Sequence, residues 1–73
     1  MRKRINRPIV IDGERIEFVE LDIEETWERG EGYPKYRGKL FGAGREIYKG
    51  AKYATKYNAE AEVKNWFIAK ERK

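Results

Sequence analysis

The spacing of apolar residues changes once along this chain, and that change restricts the fold to two layers. Up to Tyr53 the apolar residues alternate with polar ones in short runs, which is the period of β-strands. Beyond Asn58 the spacing becomes that of a single helical stripe, formed by Ala59, Val63, Trp66, Phe67 and Lys70. A helix of about 14 residues is marginal alone and needs a sheet to cover. The pattern predicts an α+β fold, with an antiparallel sheet of about four strands (two hairpins) and one C-terminal amphipathic helix packed on one face.

The first hairpin is indicated by Asp12-Gly13, which lies between two alternating runs. An Asp-Gly pair supplies the two positive φ angles of a type I′ turn, and a two-residue turn pairs Ile9 with Ile16. The second strand is expected to continue as one long strand, with a bulge immediately after Phe18 that keeps the same face buried.

The second hairpin and the helix follow from the remaining turn and cap residues. The segment 42–44 has the sequence Gly-Ala-Gly and predicts a turn between a strand at 35–41 and a returning strand at about 45–53. Regular alternation of the returning strand places Tyr48 on the face opposite the helix. Asn58 is the predicted N-cap of the helix, because good helix formers and two carboxylates follow it.

The chain is long enough for one domain, which is expected to comprise residues 7–73. Residues 1–6 form a basic arm in which Ile5 is the residue suited to packing, and the arm is expected to lack fixed structure. The basic start is not followed by the apolar stretch of a signal peptide, and no apolar run is long enough to cross a bilayer. The sequence therefore predicts a cytoplasmic protein with no membrane partner.

The missing residue types exclude most catalytic and metal chemistry. The chain contains no His, Cys, Ser or Gln, and its only threonines are Thr26 and Thr55. Disulfides, thiolate or serine nucleophiles and the usual nitrogen and sulfur ligands of zinc are therefore excluded. Glu24 and Glu25 are adjacent, so in a strand they point to opposite faces and cannot act as a carboxylate pair. We expect a protein that is not an enzyme and that holds no metal or cofactor.

Charged residues are segregated into three blocks along the chain. Residues 1–11 contain four bases, residues 12–31 contain nine acids and two arginines, and residues 32–73 contain eleven bases and four acids. The blocks carry net charges of +4, −7 and +7 in a chain of net charge +4. Exposed charges interact over about 8 Å at physiological salt, so each block can present its own potential. The alternative is internal pairing, in which the acidic segment lies beside a basic strand.

Basic and aromatic residues are concentrated on the second hairpin and the segment that follows it. If the helix covers the face that bears Leu40, the other face keeps cations that bind phosphates and rings that stack on bases. The predicted nucleic-acid-binding residues are Arg37, Lys39, Phe41, Arg45, Tyr48, Lys49, Lys52 and Lys56. Together with the basic arm, which is also expected to engage phosphates, they predict a non-enzymatic accessory protein whose partner is DNA or RNA. The alternative is that Phe41 and Tyr48 fill a second small core and that the lysines are ordinary solvated groups.

In outline, residues 35–70 resemble the modules of three-stranded sheet and helix found in phage integrase arm-binding domains and plant AP2 domains. The resemblance lies in a hairpin, a short connection after Gly50 and an amphipathic helix, and it includes no diagnostic motif. It implies that the open sheet face contacts DNA.

Two other functions remain open from the sequence. The acidic segment 12–31, with Trp27, predicts a protein-interaction or inhibitor module that docks a basic partner or mimics nucleic acid. Trp27 is alternatively a lid over the edge of the core. A free sheet edge in so short a chain also predicts a symmetric homodimer.

Overall fold

A computed structural model describes residues 2–71, and it contains six strands and one helix. The elements are β1 (Lys3–Ile5), β2 (Ile9–Ile11), β3 (Glu14–Ile16), β4 (Val19–Thr26), β5 (Lys35–Gly42), β6 (Arg45–Tyr53) and α1 (Lys56–Glu71). One antiparallel sheet has the strand order β1-β4-β5-β6, and β2 pairs with β3 in a second sheet of two strands. Since α1 packs on the larger sheet, the predicted α+β architecture is confirmed. Met1, Arg72 and Lys73, which belong to the predicted arm and domain, lie outside the described residues.

The first hairpin has the predicted turn and register but a different continuation. Ile9 lies opposite Ile16, and both turn residues have positive φ angles, 50° and 82°. The second strand ends at Ile16, however, and β4 begins at Val19 in the other sheet. The prediction of one long strand is therefore wrong. The break lets the side chains of Ile16 and Val19 enter the same core from different sheets, while Phe18 stays 40% exposed.

The N-terminal arm was expected to lack fixed structure, but part of it forms a strand. Lys3–Ile5 forms β1, an edge strand that pairs with β4 and places Ile5 opposite Val19. The pairing satisfies backbone groups on the edge of β4 that would otherwise be open, and it brings Ile5 against the core. The arm is therefore part of the sheet.

The hairpin of β5 and β6 contains two irregularities that the alternation of residues does not reveal. Register shifts occur between Arg37 and Lys39 and between Leu40 and Phe41, because β6 carries an extra residue at each point. Tyr48 consequently lies opposite Leu40. Opposed residues of antiparallel strands share a face, so Tyr48 points to the side that α1 covers.

The helix begins earlier than predicted. Thr55 Oγ1 accepts a hydrogen bond of 3.2 Å from the backbone N–H of Asn58, so Thr55 is the N-cap and Asn58 lies in the first turn. The predicted stripe is correct: Ala59, Val63 and Phe67 are buried against the sheet. No helix within residues 2–71 is long and apolar enough to cross a membrane.

Candidate nucleic-acid interface

The side of the four-stranded sheet that faces away from α1 is referred to as the open face. It is formed by alternate residues of the strands, and the opposed pairs fix which residues share it. From β1 to β6 its members are Arg4; Glu20, Asp22, Glu24 and Thr26; Lys35, Arg37, Lys39 and Phe41; and Glu46, Lys49 and Lys52. The charges therefore run in columns that are basic on β1, acidic on β4 and basic on β5.

Five of the eight predicted binding residues lie together on this open face: Arg37, Lys39, Phe41, Lys49 and Lys52. The extra residue in β6 after Lys49 brings Lys49 and Lys52 to the same side despite their odd spacing. Lys49 lies opposite Lys39, and Lys52 lies opposite Arg37. The two strands therefore present two cross-strand pairs of cations.

Arg45 and Lys56 lie elsewhere. Arg45 Nη2 is 2.7 Å from Glu14 Oε1, and that carboxylate raises the pKa of the guanidinium and directs it toward the first hairpin. Lys56 Nζ lies 5.7 Å from the ring centroid of Tyr36, whose strand partner is Tyr53 on the α1 side. Neither cation contributes to the open face.

Tyr48 is the aromatic residue whose placement was predicted wrongly. Its ring stacks on Trp66, with centroids 4.5 Å apart and planes inclined by 22°. Its hydroxyl donates a hydrogen bond to Glu62, and this bond together with burial raises the pKa of Tyr48 to about 12. Tyr48 therefore holds α1 on the sheet and is not available to stack on a base.

Glu62 is the centre of that contact. Its Oε1 accepts a hydrogen bond of 2.9 Å from the backbone N–H of Ala51, and a hydrogen bond from Tyr53 raises the pKa of that phenol. The hydrogen bond from Tyr48 is the main reason that the pKa of Glu62 is lowered. Gly50 gives the carboxylate room, because a Cβ at that position would lie 2.9 Å from Oε1.

Two lysines of the open face are paired with acids. Lys39 Nζ lies 3.3 Å from Glu24 Oε2 and 3.7 Å from Glu46 Oε1. Lys52 Nζ is 2.6 Å from Glu28 Oε1, and this hydrogen bond is the main reason that the pKa of Glu28 is lowered. Internal pairing, the alternative for the acidic segment 12–31, therefore holds for Glu24 and Glu28.

Lys35, the first residue of β5, is also paired with acids. Its Nζ lies 3.3 Å from Glu31 Oε2 and 4.0 Å from Glu28 Oε2, and the contact with Glu31 is the first cause of its raised pKa. Both residues of the Lys52–Glu28 pair are exposed, and such pairs contribute about 0.2–1 kcal/mol each and weaken in salt, whereas Lys39 and Lys35 are half-buried in theirs.

Lys49 and Arg37 differ from these lysines. Lys49 is exposed and makes no ion pair within the described part of the chain. Arg37 Nε is buried and has no hydrogen-bond partner among residues 2–71. Lys49 is therefore a cation of the open face without an ion pair in the described residues, whereas the charge of Arg37 contributes to the lowered pKa of Glu28.

Phe41 is partly covered by the N-terminal arm. The guanidinium carbon of Arg2 lies 3.8 Å from the Phe41 ring centroid, and Arg2 Nη1 lies 3.4 Å from Glu20 Oε1. The basic arm is predicted to engage phosphates, but Arg2 is not among the predicted binding residues, because no residue of the arm other than Ile5 indicates that it packs on the sheet.

The loop between β4 and β5 exposes two aromatic rings. Trp27 is 61% exposed and Tyr33 is 58% exposed, and Trp27 Nε1 donates a hydrogen bond of 2.8 Å to Glu25 Oε2. One interpretation of the sequence predicted that Trp27 covers the edge of the core. Its exposure shows that this interpretation is wrong.

Comparison of the chain with known protein families, with curated proteins and with solved structures finds no match. Within residues 2–71, no three acidic side chains are placed to hold a metal ion.

Proposed function

We propose that this protein is a non-enzymatic nucleic-acid-binding accessory protein that uses its open face to contact the phosphate backbone. The observation that carries the proposal is the shared placement of Arg37, Lys39, Lys49 and Lys52 on β5 and β6. The first hairpin and α1 belong to one core on the opposite side of the sheet. The packing of α1 and the first hairpin therefore leaves this side of the sheet uncovered, and Lys49 and Lys52 are exposed there.

Charge favours the half of the open face formed by β5 and β6. This half contains the five cations Lys35, Arg37, Lys39, Lys49 and Lys52 and the single acid Glu46. The acidic column of β4 repels phosphates and confines them to that half. A phosphate can replace Glu28 on Lys52 at small cost, because both residues of that pair are exposed and such pairs are weak. Counterion release then makes binding dependent on salt.

Binding is expected to show little preference among bases. The Arg2 guanidinium occupies one side of the Phe41 ring, and Tyr48 lies beneath α1. Base stacking, which contributes about 1–3 kcal/mol per base in proteins that bind single strands, is not offered by these two rings. The open face therefore provides contacts to phosphates, which position nucleic acid without reading its sequence.

Reversing the charge of Lys49 should weaken binding to nucleic acid. We expect Lys49→Glu to lower the affinity about tenfold at low salt and to reduce the slope of log K against log salt by about 1, because one phosphate contact is lost. The matched control is Lys64→Glu, the same change on exposed Lys64 of α1, which should alter affinity less than about twofold. Fluorescence anisotropy with short duplex and single-stranded DNA and RNA at two salt concentrations measures both quantities.

Two results would contradict the proposal. One is the absence of binding by the unmodified protein to every probe at low salt. The other is an equal loss of affinity in Lys49→Glu and Lys64→Glu, because binding would then follow net charge and not the open face.

A second candidate function is capture of a basic protein by the acidic segment. The exposure of Trp27 and Tyr33 and the hydrogen bond from Trp27 to Glu25 favour it, since aromatic rings anchor many protein interfaces. Glu25→Lys is expected to abolish capture of such a partner in a pull-down and to leave nucleic-acid affinity unchanged or higher. A Glu25→Lys variant that loses nucleic-acid binding and keeps the partner would exclude this second function.

A further inference from the structure

A groove lies between the edge strand β1 and α1. It has a volume of about 250 Å³, with a floor of apolar side chains from Ile5, Leu21, Phe67 and Ile68 and a rim that includes Lys3, Arg7 and Lys64. The helix packs on β4, β5, β6 and β2. Because β1 is three residues long and lies at the edge of the sheet, the layer under it is incompletely filled.

The groove continues along α1. A second depression of about 350 Å³ shares Lys64 and Ile68 with the first and extends to Ala61 and Tyr57. From Tyr57 to Ile68 the helix rises about 16 Å, which is the length of about five residues in an extended strand. Tyr57 is 81% exposed and Ile68 is 42% exposed, so apolar surface is available at both ends of this length, and Glu60 and Asn65 also line it.

β1 also offers backbone groups to a further strand. It pairs with β4 on one side, and no described strand lies on its other side. An unpaired edge of this kind accepts an extended peptide through main-chain hydrogen bonds, while alternate side chains of the peptide fill pockets on one face. The groove lies on the α1 side of that edge, where Ile5 contributes to its floor.

The columns of charged residues on the open face indicate which residues the peptide would carry on the face that points away from the groove. On the open face, Arg4 of β1 lies opposite Glu20 of β4, and β4 in turn lies beside the basic column of β5. A strand added next to β1 would place one of its side chains beside Arg4, whose Nε donates a hydrogen bond of 2.7 Å to Asn6 Oδ1 and whose guanidinium carbon lies 3.8 Å from the Phe18 ring centroid. Acidic residues would there continue the alternation of charge and form cross-strand pairs of opposite sign.

We propose that the groove binds an extended peptide in which acidic and apolar residues alternate. The peptide pairs with the free edge of β1, its apolar side chains enter the groove between β1 and α1, and one of its acidic side chains lies beside Arg4. The chain contains a strand of this composition in β4, whose residues 19–24 read Val-Glu-Leu-Asp-Ile-Glu and pair with β1 on its other side. This surface is separate from the half of the open face formed by β5 and β6.

The probe is the acetylated and amidated peptide Val-Glu-Leu-Asp-Ile-Glu, titrated into the full ¹⁵N-labelled chain. We expect shifts in the amide signals of residues 3–5 and 57–68, and slower hydrogen exchange in β1. Two control peptides are Val-Lys-Leu-Lys-Ile-Lys, which reverses the charge, and the acidic peptide with alternate backbone nitrogens methylated, which cannot pair as a strand. Both are expected to bind at least about tenfold more weakly, a difference of about 1.4 kcal/mol.

The matched variants are Ile68→Asp and Ala69→Asp. They place the same new side chain at adjacent exposed positions of α1, and Ile68 lines the groove whereas Ala69 does not. Ile68→Asp should weaken the acidic peptide about tenfold, and Ala69→Asp less than about twofold. Circular dichroism checks that both variants keep the fold.

Any one of the following results would overturn the proposal. The peptide could leave residues 3–5 and 57–68 unshifted at millimolar concentration, or it could shift β5 and β6 instead. The lysine peptide or the methylated peptide could bind as tightly as the acidic one. Ile68→Asp and Ala69→Asp could also weaken binding equally.

Discussion

Gly38→Ala is expected to destabilise the protein by about 3 kcal/mol, because α1 lies directly on the backbone of β5 at this residue. A Cβ at Gly38 would lie 2.3 Å from Val63 Cγ2 and 2.8 Å from the backbone oxygen of Ala59. The side chain of Val63 could move, but the helix backbone at Ala59 can yield only if α1 shifts. Small domains are stable by about 5–15 kcal/mol, so this loss is a large part of the total. Urea unfolding followed by tryptophan fluorescence measures it.

Gly32→Ala is the matched control for that substitution. A Cβ at Gly32 would have no atom within 4 Å, and its φ is not in the left-handed region, so the change should stay within about 0.5 kcal/mol. In a Val63→Ala background, Gly38→Ala should cost about 1 kcal/mol less, because one of its two close contacts is removed. Equal stability of Gly38→Ala and Gly32→Ala would show that α1 does not approach β5 this closely.

The elements that the sequence predicted correctly are those specified by local chemistry. Asp12-Gly13 determines the turn and register of the first hairpin, because few other dipeptides adopt its positive φ angles so readily. The stripe of Ala59, Val63 and Phe67 identifies the buried side of α1, because the helical period leaves one continuous apolar face. Both features depend on a few neighbouring residues.

The features that were not predicted depend on tertiary contacts. The bulges of β6 lie where the strand contacts α1, through the stacking of Tyr48 on Trp66 and the hydrogen bond from Ala51 to Glu62. The residues that make these contacts are distant in sequence. The pairing of β1 depends on an open edge of β4, which the residues of the arm do not reveal. Thr55 and Asn58 are both good N-cap residues, and only the path of the chain after β6 distinguishes them.

The candidate site likewise has features that neighbouring residues determine and features that tertiary contacts determine. Alternation along β5 placed Arg37, Lys39 and Phe41 on one face, and that placement is confirmed by the strand register. The pairing partner of β5 could not be read from β5 itself. Because β4 is that partner, its carboxylates stand in a column beside the cations and limit the basic surface to β5 and β6.

Glu62→Ala is expected to cost about 2 kcal/mol, because the carboxylate joins α1 to β6 through several hydrogen bonds. It accepts from the Tyr48 hydroxyl and from the backbone N–H of Ala51, and the substitution leaves both donors without this partner. The matched control is Glu60→Ala on the same helix. Glu60 pairs with Lys64 across one turn at 2.7 Å, an exposed contact worth about 0.3–0.5 kcal/mol. Urea unfolding at neutral pH distinguishes the two variants, and equal costs would contradict a linking role for Glu62.

The difference in stability between the unmodified protein and Glu62→Ala should also depend on pH at both ends of the scale. The pKa of Glu62 is lowered from its ordinary 4.5, so its contribution is present above that value and is lost as the pH falls through the lower pKa of the folded protein. The pKa of Tyr48 is raised from 10.0 to about 12, so its contribution is complete below 10 and is lost as the pH rises toward 12. The difference should therefore be largest between these limits and should shrink on either side. A difference that stayed constant from neutral pH to pH 12 would show that Glu62 stabilises the fold by packing and not through its hydrogen bond with Tyr48.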